Sequence, residues 1–181
     1  MAEWSRIARR IRVPLGFAFA AFYVWSARPT VASIVIGTLV VLPGILLRAL
    51  ASGHVKKNEA LATSGPYAHT RNPLYLGSFI MGVGFAIAAR SVWVFLLMVG
   101  MVLVIYLPVI RAEEIFLRQT FPDFDEYAHN VPRLWPRWSA YGNTESAFSR
   151  PLYWQHREYN ATLGTAALLA ALVAKLVWAS R

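Results

Sequence analysis

Cysteine is absent from the 181-residue sequence. That absence excludes a disulfide scaffold, a cysteine-ligated zinc site and a thiol nucleophile, and it leaves the redox compartment open. Charge is scarce as well: 15% of the residues are Asp, Glu, Lys or Arg, against about 25% in an ordinary soluble domain. So few charges cannot wet the surface of a soluble globule of this size, which argues against a cytosolic enzyme, a disordered chain and a fibrous one. The four histidines, His54, His69, His129 and His156, show neither HExxH nor another metal-ligand spacing, so no metal site is expected. No phosphate-binding glycine loop follows a strand pattern. Gly82-Val83-Gly84 lies inside an apolar run and reads as packing between helices. There is no internal repeat and no low-complexity tract.

What is present is apolar: 57% of the residues are hydrophobic and the mean hydropathy is +0.44. This composition predicts a small integral membrane protein of one domain. Crossing hydrocarbon takes roughly 17 to 25 apolar residues in a helix, and five runs approach that length, at 13–27, 30–47, 74–89, 91–110 and 161–178. The first and third are short for a full crossing. The basic stretch before the first resembles the start of a signal peptide, but we read the run as a span. The runs lack the alternation of a membrane barrel, so the predicted fold is an all-α membrane bundle of about five helices. Ala27-Arg28-Pro29-Thr30 and Arg90 form tight links, which predict two helical hairpins.

The 18 Lys and Arg exceed the 9 Asp and Glu. Such an excess can signal nucleic acid, but beside membrane spans it is better read as topology and contact with anionic lipid. Most of these cations fall in the tail before the first run and in the segments 48–73 and 111–160. Arg28, Arg90 and Arg181, with Lys175 near them, fall on the opposite side. The positive-inside rule then places the N-terminus and both polar segments in the cytoplasm, and chemistry is expected there.

The first polar segment ends in Ser64-Gly65-Pro66-Tyr67-Ala68-His69-Thr70-Arg71-Asn72-Pro73-Leu74-Tyr75-Leu76-Gly77. Gly65-Pro66 is a turn signal. Asn72-Pro73 predicts a helix start, with Asn72 as the cap and Pro73 at the first position. Free N–H groups at that start, with Arg71 beside them, predict an anion site; the plainer reading is a capped helix with an interfacial arginine. Gly77 removes a side chain, so a neighbour can approach the backbone. The second segment opens with Glu113 and Glu114. Glu114 has Arg118 four residues on and is read as its partner. Glu113 has Leu117 there, and a carboxylate near the bilayer with no such partner is a functional candidate. Pro122 ends the helix, and Val131–Arg137 reads as a proline-stiffened strip in which Arg133 is either an anion contact or a surface charge.

GPYxxxRNPxYLG, then EExxL, FxxFxxY and VPRxxP, in that order over residues 64–137, resemble the isoprenylcysteine carboxyl methyltransferase family, which is related to membrane phospholipid N-methyltransferases. The resemblance implies S-adenosylmethionine as methyl donor, held in a cytoplasmic pocket and closed over by the segment after the fourth span. Carried onto this chain it places Tyr67, His69, Arg71, Asn72, Tyr75 and Gly77 at the donor, with Glu113 or Glu114 on its ammonium group and Tyr127 and Arg133 at the lid or acceptor site. Arg71, Glu113 and Arg133 are the residues expected to bear on the reaction itself. Eukaryotic members often carry histidine where this chain has Asn72. The implied activity is methyl transfer to a lipophilic acceptor, most nearly an isoprenylcysteine-like carboxylate; a phospholipid amine or a thiol is the alternative, with Glu, Tyr or His69 as base. Membrane lipids are expected partners and nucleic acid is not. The expected organisation is one membrane domain over 1–181: a helical hairpin and loop at 1–63, the methyltransferase-like core at 64–137, and an extension at 138–181 that lies outside the resemblance.

Two other readings compete. One is a non-enzymatic scaffold or transport subunit, with the Arg and Glu clusters as topology signals and salt bridges. The other is a nicotinamide-dependent reductase, because membrane sterol reductases have a C-terminal part similar to this family. The chain is short for that, and no patch suits a nucleotide 2′-phosphate.

Overall fold

The computed structural model describes residues 16–56, 59–142 and 147–179, and no strand occurs among them. Residues 13–15 of the first expected span, the basic tail, Lys57 and Arg181 lie outside the described residues. The elements are α1 (Gly16–Ser26), α2 (Val31–Ser52), α3 (Pro73–Ala89), α4 (Val92–Thr120), α5 (Phe124–Asn130), α6 (Arg150–Gln155) and α7 (Tyr159–Ala179). A 3-10 turn, Gly65–Ala68, precedes α3. Three helices, α2, α4 and α7, are long and apolar enough to cross a membrane. The expectation of five spans therefore stands for three, since α1 and α3 are apolar but shorter.

Both tight links are present. Thr30 and Ser33 form a reciprocal capping box at the start of α2, which satisfies two end donors at once. Arg90 ends α3 in the left-handed region at φ 49°, and the Ser91 side chain caps α4. The α2–α3 pair is the closest in the fold. Its buried stripe runs Ser33, Gly37, Val41, Gly44 on α2 and Gly77, Met81, Gly84, Ala88 on α3, which is helical spacing. The glycines meet reciprocally: a Cβ on Gly44 would sit 2.7 Å from the carbonyl oxygen of Gly77, and one on Gly84 would sit 2.7 Å from that of Gly37. Backbone can come this close only where no side chain intervenes, as expected where helices pack in lipid.

Near the short links, Tyr23, Ala88, Ala89, Val94 and Leu172 form the main buried cluster, joining α1, α3, α4 and α7. Tyr23 donates to the carbonyl of Phe85 at 3.1 Å. Lys175 Nζ donates to the carbonyls of Val24 and Trp25, both at 2.7 Å, satisfying the end of α1. The outer faces of α2 and α4 expose Val35, Leu39, Leu46, Phe95 and Leu103, as surfaces that face lipid do. Within α4 the ladder widens to a π turn at Val102–Tyr106, just before Pro108, which has no N–H to continue it. The helix then runs on past Glu113 and Glu114 as the sequence predicted, ends at Thr120, and gives way after Pro122 to α5.

Candidate functional site: a cavity at the polar end of the bundle

The two polar segments meet. Arg71 N–H donates to the carbonyl of Pro132, Arg137 N–H to that of His69, and Tyr141 N–H to that of Ala68. Thr70 Oγ1 adds contacts to the carbonyls of Arg133 and Leu134. The strip after α5 is thereby laid along the turn before α3. Beneath this junction lies a cavity of about 850 Å³, bounded by the loop after α2, the start of α3, the outer part of α4, α5 and Glu158. One part of its wall is charged, with Arg71, Glu113 and Glu114; another is aromatic and apolar, with Tyr67, Phe121, Phe124 and Tyr127.

Glu114 is the centre of the charged part. Its Oε2 accepts from Arg133 Nε at 2.9 Å and Nη2 at 2.6 Å. Its Oε1 accepts from Asn72 Nδ2 at 3.4 Å. Arg71 Nε stands 3.3 Å from the same oxygen, within ion-pair range but out of line for a hydrogen bond. Arg71 Nη1 donates to the carbonyl of Ala128 at 2.8 Å. The side chains of Glu114 and Arg71 are only 9% and 13% exposed, while Arg133 is 43% exposed. One carboxylate between two guanidiniums leaves this cluster with one surplus positive charge, and Glu113 adds a negative one to the same wall. The hydrogen bond to Glu114 holds the Arg133 guanidinium more firmly protonated than usual.

Three sequence readings are refined here. Glu114 does not pair with Arg118, which instead binds Asp125 at 2.6 Å; the tertiary fold offers the buried Glu114 two guanidiniums, the largely buried Arg71 and the half-exposed Arg133, and these outweigh an exposed i,i+4 contact. Asn72 occupies the cap position of α3 but makes no capping bond with its side chain, because that side chain is turned to Glu114 and the carbonyl of Arg133. Arg71, read as part of an anion site or as an interfacial arginine, is engaged by Glu114 and the carbonyl of Ala128.

Tyr67, Arg71, Asn72, Tyr75, Glu113, Glu114 and Tyr127 all border the cavity. His69, Gly77 and Arg133 are placed differently. His69 does not line it; its Nδ1 is 2.9 Å from the carbonyl of Arg137, so it fastens the strip. Gly77 is used by the fold, since a Cβ there would meet Arg48 Cγ at 2.7 Å and the Gly44 carbonyl at 2.8 Å. Arg133 reaches the site through Glu114 rather than by lining the cavity. Tyr127 donates its hydroxyl to the carbonyl of Tyr67 at 2.7 Å. Burial pushes both phenols well above their ordinary value, the Arg71 charge opposing this at Tyr127, so both stay neutral donors at physiological pH.

The sequence reading missed a second charged wall. Arg48, at the end of α2, donates from Nε at 3.1 Å and Nη2 at 2.7 Å to Glu158 Oε2, and from Nη1 to Ser78 Oγ at 2.6 Å. Both partners line the cavity, as does Tyr106 from the π turn of α4. A signal was present: Arg48 and Glu158 are charges at the ends of apolar runs, the criterion that singled out Glu113.

Residues 33–123 match the model of a family described as "Phospholipid methyltransferase". Over 93 residues the chain is 34% identical to the "Nickel-cobalt-cadmium resistance protein NccN" of Alcaligenes xylosoxydans xylosoxydans, covering 51% of this chain and 43% of that protein. Over 86 residues it is 38% identical to the "Cobalt-zinc-cadmium resistance protein CzcN" of Cupriavidus metallidurans, covering 48% of this chain and 40% of that protein. The chain thus matches less than half the length of either relative. No solved structure matches it. Among the described residues no three His, Asp or Glu side chains come together where a metal ion could be held.

Proposed function

Because the chain belongs to the phospholipid methyltransferase family, we propose that it is an integral membrane methyltransferase that uses S-adenosylmethionine and acts on a lipophilic acceptor at the polar end of the bundle. The observation that carries this reading is the cavity of about 850 Å³, a size suited to a cofactor, with a charge cluster on one side and aromatic rings on the other. S-adenosylmethionine, when bound, supplies a methyl carbon activated by a sulfonium. The residues present fit such a group. The surplus positive charge at Arg71 and Arg133 suits its carboxylate, Glu113 its ammonium, and the Tyr67, Phe121 and Tyr127 rings its adenine and sulfonium.

The acceptor's apolar part would lie toward α3 and α4, along Tyr75, Tyr106 and Val109, entering from the bilayer. For an isoprenylcysteine-like carboxylate no general base is needed, and the chain's task is to align the reactants and exclude water. A phospholipid amine or a thiol would have to lose a proton. His69 is turned to the strip, so a cavity-wall carboxylate not held by the donor's ammonium is then the better placed base. The cavity faces the cytoplasm under this proposal, following the basic segments.

Calorimetric titration of the detergent-purified protein with S-adenosylhomocysteine, with NADPH as control, tests the reading. Saturable binding of the first alone supports it, and Glu113→Ala and Arg71→Ala should each weaken that binding in folded protein. Binding of NADPH instead would favour a reductase. Binding of neither, with and without a lipid acceptor present, would favour a scaffold or transport subunit.

A further inference from the structure

The opposite end of the bundle carries a second concavity, of about 960 Å³, between the links α1–α2 and α3–α4 and the end of α7. Its lining includes Arg28, Arg90 and Lys175 and, among the described residues, no acidic one. The Arg28 N–H donates to the carbonyl of Ala89 at 2.8 Å, which sets the Arg28 backbone beside that of Arg90. Lys175 is occupied by the carbonyls at the end of α1. Neither guanidinium meets a carboxylate among the described residues. The capped starts of α2 and α4 open on the same hollow, adding partial positive charge.

Cations on this side run against the trend of the rest of the sequence, so topology does not account for them. Two further observations say what they face. Trp25 and Trp93 stand at the rim, 76% and 68% exposed, as aromatic rings do at the headgroup level. Immediately along the helices, Val31, Val35, Val92 and Phe95 are exposed and form apolar tracks leading away from the hollow. Positive charge in the hollow with apolar tracks leading from it has the polarity of a phospholipid, phosphate at one end and acyl chains at the other. We propose that this hollow binds the phosphate headgroup of an anionic phospholipid in the leaflet at the short-link end, at a site separate from the cavity at the polar end.

The test is native mass spectrometry of the protein in detergent, titrated with phosphatidylglycerol and, separately, with phosphatidylcholine. The parent is compared with the double variant Arg28→Gln/Arg90→Asn. Asn is chosen because it tolerates the left-handed backbone at position 90, and an unchanged melting temperature certifies the fold. The proposal expects a retained phosphatidylglycerol adduct that the double variant binds about tenfold more weakly, little preference for phosphatidylcholine, and no displacement by millimolar inorganic phosphate. Equal binding by parent and double variant, or equal binding of the two lipids, overturns it. Displacement by inorganic phosphate overturns it in favour of a free-anion site. S-adenosylhomocysteine binding should be the same in both proteins, so the outcome stands apart from that of the methyltransferase reading.

Discussion

Replacing Glu114 by alanine removes the carboxylate on which Arg71, Arg133 and Asn72 converge, and the cost can be worked from their exposure. Breaking a fully buried ion pair from one side costs about 3–5 kcal/mol, because the partner charge is left uncompensated. Arg133 is 43% exposed and rehydrates, so its share falls toward the ~0–1 kcal/mol of a surface pair. Arg71 is 13% exposed and cannot rehydrate without moving, although it keeps the Ala128 carbonyl. Asn72 keeps its bond to the Arg133 carbonyl at 3.0 Å. The balance is a loss of about 2–3 kcal/mol, or roughly 5–10 °C in melting temperature for a chain of this size. Glu113→Ala, at an exposed position on the same helix, should cost about 0.5 kcal/mol or less. Scanning fluorimetry in one detergent compares the two, and Glu114→Gln, which keeps an acceptor oxygen, should fall between them. If Glu114→Ala melts with the parent, or if Glu113→Ala is the more damaging, Glu114 is not the electrostatic centre of the site. The binding assay then divides the roles: Glu113→Ala should lose S-adenosylhomocysteine affinity at nearly unchanged stability.

Other outcomes follow from the same geometry. Gly44→Ala places a methyl 2.7 Å from the Gly77 carbonyl oxygen and should destabilise by about 1–3 kcal/mol by forcing α2 from α3, whereas Gly100→Ala meets nothing within 4 Å and should be neutral or slightly stabilising. A double-mutant cycle on Arg48→Ala and Glu158→Ala should return a coupling of about 1 kcal/mol in thermal unfolding; additive effects would mean that the pair does not hold α7 to α2. Tyr67 and Tyr127 favour the protonated phenol in the fold, so their contribution to stability is intact below about pH 10 and is lost as pH rises beyond it. In an absorbance titration at alkaline pH, at least two tyrosines should ionise late, one fewer in Tyr127→Phe; a single transition near pH 10 in still-folded protein would refute their burial.

The parts of this fold that were legible in the sequence are those fixed by local chemistry. The links at Ala27–Thr30 and Arg90 join helices, Pro73 begins one, and Pro122 separates two, each for reasons contained within a few residues. The convergence of residues 64–77 with 111–137 was also legible, because both segments are polar and lie between apolar runs. Partnership was not. The spacing of Glu114 and Arg118 favours a local pair, but burial decides between partners, and burial is set by elements distant in sequence. Arg71 and Arg133 stand 43 and 19 positions from Glu114 and still take it. Asn72 follows the same logic: a caps-favouring residue gives up its capping bond when a buried carboxylate needs a donor more than a helix start does.

The extension beyond residue 137 shows the limit most clearly. It lies outside the resemblance and, from residue 124 onward, outside the family match, so neither pointed to a role for it. Yet Glu158, at the start of α7, closes one wall of the cavity by holding Arg48 at 2.7 Å. The matched residues supply Arg71, Glu114 and Arg48, and the extension supplies Glu158, the carboxylate that pairs with Arg48. If the cavity holds two molecules in methyl transfer, the Arg48–Glu158 wall shares no side-chain contact with the Glu114 cluster and can bear on the acceptor separately from the donor. Exchanging the pair, as Arg48→Glu with Glu158→Arg, should then leave S-adenosylhomocysteine affinity within about twofold while changing which lipid-like carboxylate, amine or thiol is methylated. Loss of S-adenosylhomocysteine binding in the folded double variant would place this wall at the donor instead.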